Sequence, residues 1–347
     1  MARIVVAGSG SVGACIAYHL ALLGAARDVV LADRAQIASG ATGKAMGGVR
    51  QQFSTAAEVR LAQESIRFFE QLGAPWFDQV GYLFLATTER GRAELEQRRM
   101  LQAELGVPVE SVDPRFVRGL NVDDVLGAVF CPSDGVADPP ALTREIVRRA
   151  AELGVDVRER TDARELERDV LVIAAGAYSG DFGVELPIRP LARQLLETDQ
   201  IDGLPHRLPM VVEAETGFHF RRRDDCLRIA MADAEPRWGF EETVDETVLN
   251  DRLERLAHRF PGARETRIAR AWAGLYDMTP DAHPIIGPVG DGLYAACGFS
   301  GHGFMQSPAV GRAVAEELLR GESELDLSPY RLERFSGETM FRETLVL

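Results

Sequence analysis

Near its beginning the chain reads Ile4-Val-Val-Ala-Gly-Ser-Gly-Ser-Val-Gly13, an apolar run followed by a glycine-rich turn. Its apolar beginning is typical of a short buried strand, and residues 14–23, rich in helix formers, follow the last glycine. A second apolar run at 29–31 then ends at Asp33. The order strand, helix, strand predicts a βαβ unit with a parallel sheet and a right-handed crossover.

The glycines of this stretch have the spacing GxGxxG, and Asp33 follows the last of them by twenty residues (33 − 13). Such glycines let the backbone approach a pyrophosphate at a helix N-terminus, and the acidic residue accepts hydrogen bonds from ribose hydroxyls. The motif alone does not separate FAD from NAD. The cofactor-binding residues that it predicts are Gly8, Gly10, Ser11, Val12, Gly13, Asp33 and Arg34.

A loop of small residues at 38–48 follows the second predicted strand. Its glycines indicate a close approach of backbone to a ligand, and an NAD enzyme has no need of such a segment. Ser39 and Thr42 could donate hydrogen bonds along a pyrophosphate and ribityl chain, and Lys44 could offset phosphate charge. The loop therefore favours FAD, with Ser39, Ala41, Thr42, Lys44, Gly47 and Gly48 as predicted contacts.

A second glycine-rich turn, Gly298-Phe-Ser-Gly301-His302-Gly303-Phe304, lies between a predicted strand at 293–296 and a final helix predicted to begin at Ser307-Pro308. A helix N-terminus next to such a turn suits a group that gains negative charge, as a reduced flavin does. His302 stands among glycines and is a candidate functional residue. The predicted contacts here are Gly298, Ser300, Gly301, His302, Gly303, Phe304 and Met305.

Composition and charge exclude several classes of function. The 347 residues carry a formal net charge of −14 without a Lys/Arg-rich run, which disfavours nucleic acid and anionic membranes as partners. No apolar run is long enough to span a bilayer. The four cysteines form no CxxC pair or metal cluster, so we expect free thiols, no metal and a cytoplasmic location.

The pattern along the chain predicts an α/β fold with two interleaved domains. We expect a Rossmann-like FAD-binding domain of the glutathione-reductase type at 1–73, 131–187 and 271–347. An antiparallel β-sheet substrate domain is expected at 74–130 and 188–270. Helix starts are predicted from capping patterns at Thr55 with Glu58 and at Asp138-Pro139, and an amphipathic helix is predicted from Asp245 to Arg259.

Several motifs together resemble the D-amino-acid-oxidase family of FAD enzymes, and within it the sarcosine oxidase and dye-linked proline dehydrogenase β-subunit branch. Besides the first fingerprint, they are Ser39-Gly-Ala-Thr42, Gly47-Gly-Val-Arg-Gln-Gln-Phe53, Ala174-Ala-Gly176, Trp272-Ala-Gly-Leu-Tyr-Asp-Met-Thr-Pro-Asp281, His283-Pro-Ile-Ile-Gly287, Gly298–Phe304 and Arg331–Phe335. The resemblance implies hydride transfer from a small amino acid to flavin N5, giving an imine that water hydrolyses. It adds Val157, Ala175, Gly176 and Gly274 to the predicted FAD contacts.

Departures from the family pattern set further expectations. Some relatives attach FAD through a cysteine near the position of Gly274, and others through a histidine near Lys44, so we expect noncovalent FAD here. The cationic pair that holds the substrate carboxylate in monomeric sarcosine oxidases falls at Phe53 and Met305, both uncharged. Arg50 is therefore the predicted carboxylate anchor, ahead of the strand arginines Arg221, Arg222 and Arg228.

Two further residues are predicted from the resemblance. Tyr276 matches a family active-site tyrosine. Arg228 stands near the place of a lysine that faces the flavin in oxygen-using relatives, which favours a dehydrogenase. The predicted catalytic set is therefore Arg50, Tyr276, His302 and Arg228.

The resulting hypothesis is FAD-dependent oxidation of a sarcosine-, proline- or glycine-like amino acid. The electron acceptor is left open between oxygen, a quinone or dye, and a partner subunit, and an oligomer is possible. Two alternatives are an NAD(P)-dependent dehydrogenase and a FAD-carrying subunit with an assembly or electron-relay role in a larger complex.

Overall fold

The computed structural model describes residues 2–337, 342–344 and 346. The predicted βαβ unit is present: β1 (Ile4–Ala7) and β2 (Val29–Ala32) run parallel, and α1 (Ser11–Leu20) connects them. The helix begins earlier than predicted because the glycine turn itself supplies the extended N-cap residue, Gly10.

Short strands and helices alternate through the rest of the chain. The strands are β3 (Gly48–Val49), β4 (Phe77–Asp78), β5 (Tyr82–Ala86), β6 (Glu110–Ser111), β7 (Gly127–Cys131), β8 (Gly135–Ala137), β9 (Asp156–Arg158), β10 (Val170–Ile173), β11 (Arg189–Thr198), β12 (Met210–Glu213), β13 (His219–Arg223), β14 (Cys226–Ala230), β15 (Arg237–Trp238), β16 (Ile268–Met278), β17 (Ile285–Gly290) and β18 (Leu293–Cys297). The helices are α2 (Ala41–Lys44), α3 (Ala56–Leu72), α4 (Glu89–Glu104), α5 (Pro139–Glu152), α6 (Glu246–Arg259) and α7 (Gly303–Arg320).

The first sheet has the strand order β17-β18-β10-β1-β2-β9 and is parallel except for its edge strand β17. Its central strands are buried on both faces, as a parallel sheet covered by helices requires. Val6 and Leu31 enter the large core on one face, whereas Val5 and Val30 enter a smaller core on the other.

The second sheet is mostly antiparallel and has the order β15-β11-β14-β13-β12-β5-β7-β6, with β16 paired to β11. One face packs against α6, where Leu196 and Ile229 meet Leu256. The opposite face, called the inner face below, turns toward the first sheet, and its Phe84 and Val212 share the first sheet's large core. The α/β fold class predicted from the sequence is thus present, and a small sheet β3-β8-β4 accompanies the two main ones.

The two-domain division remains a prediction, and two of its boundaries fall inside strands of the antiparallel sheet. The boundary at residue 131 lies at the last residue of β7. The expected boundary at residue 271 falls inside β16, which pairs with β11 from Ile268 to Met278. This strand stays in the antiparallel sheet because β11 pairs with it from Arg189 to Thr198, so the chain returns to the first sheet only at β17.

Local capping signals placed the starts of α3 and α5 correctly, and the amphipathic pattern placed α6. The side chains of Thr55, Asp138 and Asp245 accept hydrogen bonds from the first turns of α3, α5 and α6. The predicted start of α7 at Ser307-Pro308 was wrong, because the helix begins at Gly303 and contains the proline. The Phe304 carbonyl, which Pro308 cannot pair with, accepts a 2.8 Å hydrogen bond from the Ser307 hydroxyl instead.

Three absences concern only the described part of the chain. No helix there is long and apolar enough to cross a bilayer. No group of His, Cys, Asp or Glu side chains there is arranged to hold a metal ion. The four cysteines, Cys15, Cys131, Cys226 and Cys297, are free.

Candidate active site

A cavity of about 520 Å³ lies where the carboxyl ends of β1, β2 and β10 meet the inner face of the antiparallel sheet. Ligands of open α/β sheets bind at this edge, where helix N-termini and loops converge. The cavity extends from Asp33 at the end of β2 to Tyr276 on β16. It therefore joins the dinucleotide motif to the second sheet.

The first glycine turn fits a dinucleotide because its backbone leaves no room for side chains. A Cβ at Gly8 would lie 2.4 Å from the Ala174 carbonyl oxygen, and one at Gly13 would lie 1.9 Å from the Gly8 carbonyl oxygen. The N-terminus of α1 opens on the cavity, where Ser11 and Val12 line it. Backbone N–H groups at a helix N-terminus favour a pyrophosphate.

The Asp33 carboxylate also organises this turn. Its Oδ2 accepts hydrogen bonds from the Ser9 backbone N–H at 2.7 Å and the Ser9 hydroxyl at 2.9 Å, and its Oδ1 accepts from the Ala35 N–H at 2.8 Å. Since a carboxylate has about four acceptor positions, at least one is left for a ribose hydroxyl. Asp33 thus combines a structural role with the predicted ligand role.

The small-residue loop lines the same cavity from Ser39 to Gly48. The Thr42 hydroxyl accepts a 3.0 Å hydrogen bond from the Ser11 N–H, so its own proton remains available to a ligand. The Lys44 ammonium forms an ion pair with Glu242, which also lines the cavity. Lys44 therefore links the loop to the segment after β15, an arrangement that the sequence did not predict.

The second glycine turn brings another helix N-terminus, that of α7, to the cavity. Ser300 lies behind the turn at a φ of +51°, and Gly298 donates its N–H to the buried Asp277 carboxylate at 2.7 Å. Burial raises the pKa of Asp277 to about 6, and the backbone N–H groups that surround it limit the shift. Gly298 and Ser300 shape the turn and do not line the cavity.

Arg50 and His302 are in contact at the end of the cavity distant from Asp33. One Arg50 Nη lies 3.3 Å from His302 Nε2, and the other donates to the Gln52 carbonyl. A guanidinium can only donate, so His302 Nε2 accepts this contact and the proton of the neutral ring lies on Nδ1. The Phe53 ring packs 4.1 Å from the Arg50 Cζ, and burial lowers the pKa of Arg50.

Arg193 presents a cation on the inner face of the antiparallel sheet. It lies on β11 opposite Gly274, and its guanidinium lies 5.6 Å from the centre of the Tyr276 ring. Both side chains line the cavity. No carboxylate among the described residues forms an ion pair with Arg193, and its buried Nε has no hydrogen-bond partner among them.

Arg228 does not occupy the place that the sequence suggested. Its guanidinium pairs with Glu197, donates to the Ala45 carbonyl at 3.2 Å and packs 5.0 Å from the Trp272 ring. It is not among the cavity-lining residues. The prediction that Arg228 faces the flavin is therefore corrected, because Glu197 on the paired strand holds its side chain away from the cavity. The expected preference for a dehydrogenase, which depended on that position, loses its basis.

Most of the other predicted site residues come together. Those that line the cavity are Gly8, Gly10, Ser11, Val12, Asp33, Arg34, Ser39, Ala41, Thr42, Lys44, Gly47, Gly48, Arg50, Ala175, Gly176, Gly274, Tyr276, Gly301, His302, Gly303, Phe304 and Met305. Those outside it are Gly13, Val157, Gly298, Ser300 and Arg228. Gly13 packs against Gly8, and Val157 lies on β9 beside Leu31.

Sequence reasoning missed Arg193, His219, Tyr82 and Met210, all of which line the cavity from the inner face. The available signal was the alternation along each strand: Arg193 shares a face with Leu191 and Leu195 on β11. Alternation shows which residues lie together but not which face meets the first sheet. The strand pairing that selects the face is non-local.

Comparisons with known proteins agree with this geometry. The family model described as DAO, FAD dependent oxidoreductase, matches residues 3–317. A mitochondrial sarcosine dehydrogenase of Mus musculus is 27% identical over 96% of this chain, and the match covers 41% of that relative. A glycine oxidase of Geobacillus kaustophilus is 25% identical over 96% of this chain and 97% of its own length.

Among solved structures, L-proline dehydrogenase from P. horikoshii superposes with a TM-score of 0.89 at 28% identity. The superposition covers 96% of this chain and 98% of that one. The chain thus spans less than half of the sarcosine dehydrogenase but nearly the full length of the proline dehydrogenase and the glycine oxidase.

Proposed function

Because this chain belongs to the DAO family of FAD-dependent oxidoreductases, we propose that it oxidises the carbon–nitrogen bond of a small amino acid in the cavity described above. The substrates we expect are secondary, N-methyl or primary amino acids similar to sarcosine, proline or glycine. The family assignment sets aside the NAD(P)-dependent alternative.

The residues present fit FAD. The N-terminus of α1 and the loop at 39–48 would hold the pyrophosphate and ribityl chain, and the turn at 301–305 would receive the ring system. When bound, FAD supplies the acceptor for a hydride from the substrate carbon. The protein then has to orient the amino acid, and the α7 N-terminus favours the negative charge that accompanies reduction.

The proposal of an amino-acid substrate depends mainly on the position of Arg193 in the cavity wall. A cation that lines a cavity without an acidic partner among the described residues calls for an anionic ligand, and a guanidinium matches a carboxylate through two parallel hydrogen bonds. None of the other inner-face residues that line the cavity is acidic; they are Tyr82, Leu195, Met210, His219, Ala230, Gly274 and Tyr276.

We place Arg193 ahead of Arg50 as the carboxylate anchor. Arg50 is 1% exposed and already donates to the Gln52 carbonyl. Its contact with His302 suits it to hold that ring in one orientation. Arg50 also adds positive potential to the same end of the cavity.

The test is anaerobic bleaching of the flavin by sarcosine, L-proline, D-proline and glycine, which needs no knowledge of the electron acceptor. We expect bleaching by at least one of them, and Arg193→Met should weaken its binding about 10- to 100-fold, the effect of a lost charge-assisted hydrogen-bond pair. Arg189→Met is the matched control, because Arg189 lies exposed on the same strand and packs on Trp238.

Three results would speak against the proposal. Equal weakening by both arginine variants would place the anchor elsewhere. Equal bleaching by an amine without a carboxylate would contradict the substrate class. No bleaching by any free amine would favour a FAD-carrying subunit of a larger complex.

A further inference from the structure

His219 lies on the inner face of the antiparallel sheet, in the same row as Val212 on β12 and Ala230 on β14. Its ring lines the cavity although the residue is only 4% exposed. Ring nitrogen Nδ1 lies 2.7 Å from the Gly217 carbonyl oxygen. The side chain is thus fixed at the cavity wall by the turn that precedes its strand.

The contact with Gly217 decides which ring nitrogen carries the proton. A carbonyl oxygen can only accept, so Nδ1 is the donor and, in the neutral ring, Nε2 is an acceptor. Burial lowers the pKa of His219 to about 4 despite the Gly217 contact, and Arg252 of α6, Arg50 after β3 and Arg193 of β11 lower it further. The ring is therefore neutral near pH 7, with a lone pair on Nε2.

Polar groups of two kinds thus line this wall. Arg193 offers donors without an acidic partner among the described residues, and His219 offers an acceptor. The two lie on strands separated only by β14. An α-amino acid has the complementary arrangement, a carboxylate one carbon away from an amine N–H.

We propose that His219 Nε2 accepts a hydrogen bond from the N–H of the substrate amine while Arg193 holds the carboxylate. This assignment rests on the proposed function and narrows the substrate class to primary and secondary amino acids. A neutral tertiary amine has no N–H, so it would leave Nε2 without a partner in a buried wall, which is costly. The bound primary or secondary amine keeps its lone pair free for the carbon–nitrogen double bond formed on oxidation.

The test uses two unreactive ligands that differ in one atom. Pyrrole-2-carboxylate donates through its ring N–H, whereas furan-2-carboxylate has an oxygen at the same place. Dissociation constants are measured on the FAD-loaded protein from the change that each ligand causes in the flavin absorbance spectrum. We expect the pyrrole to bind about tenfold more tightly than the furan, as befits one buried hydrogen bond.

Three variants make the comparison specific. In His219→Leu the preference for the pyrrole should disappear, and in His219→Gln, whose side-chain oxygen reaches the same region, it should largely remain. His206→Leu changes an exposed histidine outside the cavity and should leave the preference unchanged. FAD content and melting temperature are recorded for each variant, so that a folding defect is recognised.

The outcomes separate this inference from the proposed function. Equal binding of the two ligands by the wild type, or an undiminished preference in His219→Leu, overturns the role of His219 and leaves the carboxylate site intact. If the FAD-loaded wild type binds neither ligand, the result contradicts both the carboxylate site and the assignment of His219.

Discussion

At the scale of single residues, three ionisable side chains near the cavity are either paired or held without charge. Arg228 is paired with Glu197 and Lys44 with Glu242, so neither is available to a ligand in this arrangement. His219 is neutral because it is buried beside cations. Arg193 differs from these three, which is why a single arginine carries the assignment of a carboxylate substrate.

Asp277 gives a prediction about pH at this scale. Its pKa, raised to about 6 by burial, means that the folded state favours the protonated carboxyl. Its stabilising contribution is therefore complete below pH 4 and is lost as the pH rises through 6. We expect the unfolding free energy of the wild type, measured relative to Asp277→Asn, to fall by about 2 kcal/mol between pH 4 and pH 7.

Denaturant titrations of the FAD-loaded proteins at both pH values would measure this difference. Asp291→Asn removes the same formal charge at an exposed position and serves as the control. A wild-type advantage over Asp277→Asn that grows with pH would show that the buried group stays ionised.

At the scale of elements, two helices that are distant in the chain direct their N-termini at one cavity. α1 follows the first glycine turn and α7 follows the second, and both turns need glycine because neighbouring atoms leave no room for a Cβ. The α1 turn meets the backbone of Ala174, directly after β10, and the α7 turn meets the Tyr276 ring, 2.3 Å from a Cβ at Gly301. Each turn thus depends on a different sheet.

Gly13→Ala tests the first turn. The added methyl group would lie 1.9 Å from the Gly8 carbonyl oxygen, so α1 has to move away from the turn. We expect loss of most FAD binding and a destabilisation of about 1–3 kcal/mol, typical of overpacking. Gly180→Ala is the control, since no heavy atom lies within 4 Å of its added Cβ. Normal FAD content in Gly13→Ala would show that the turn tolerates a side chain.

At the scale of the whole molecule, the cavity lies between two sheets and is completed by both. The Lys44–Glu242 ion pair and the stacking of Tyr178 on Phe240, with ring centres 5.1 Å apart, join the first-sheet side to the segment after β15. A ligand between the sheets adds contacts to both, so it stabilises the folded state as a unit.

We therefore predict that FAD removal lowers the melting temperature by several degrees and that added FAD restores it, as mass action requires.

We also expect FAD to be noncovalent. None of the cavity-lining residues in the described part of the chain is a cysteine, and a side chain at Gly274 would lie 3.0 Å from the Lys44 Cβ. Acid precipitation should leave the flavin in the supernatant; a yellow pellet with a colourless supernatant would contradict this.

The sequence by itself determined the parts of this protein that depend on neighbours in the chain. The separate elements of the βαβ unit, the glycine turn before α1 and the caps at Thr55 and Asp138 each show in a short run of consecutive residues. Such patterns reflect backbone geometry and local hydrogen bonds, and these act over less than two helical turns. The start of α7 was missed because a side-chain hydroxyl compensates for Pro308 within the helix.

Tertiary structure alone decided which strand residues face the cofactor cavity. Arg193 on β11 and Arg228 on the paired strand β14 both occupy the inner face. Only Arg193 reaches the cavity, because Glu197 on β11 holds Arg228. His219 became an acceptor through its turn at Gly217 and through cations contributed by β11, α6 and the residue after β3. These partners come from distant parts of the chain. Pairing across the sheet, which no single strand's pattern encodes, therefore placed the substrate-binding groups.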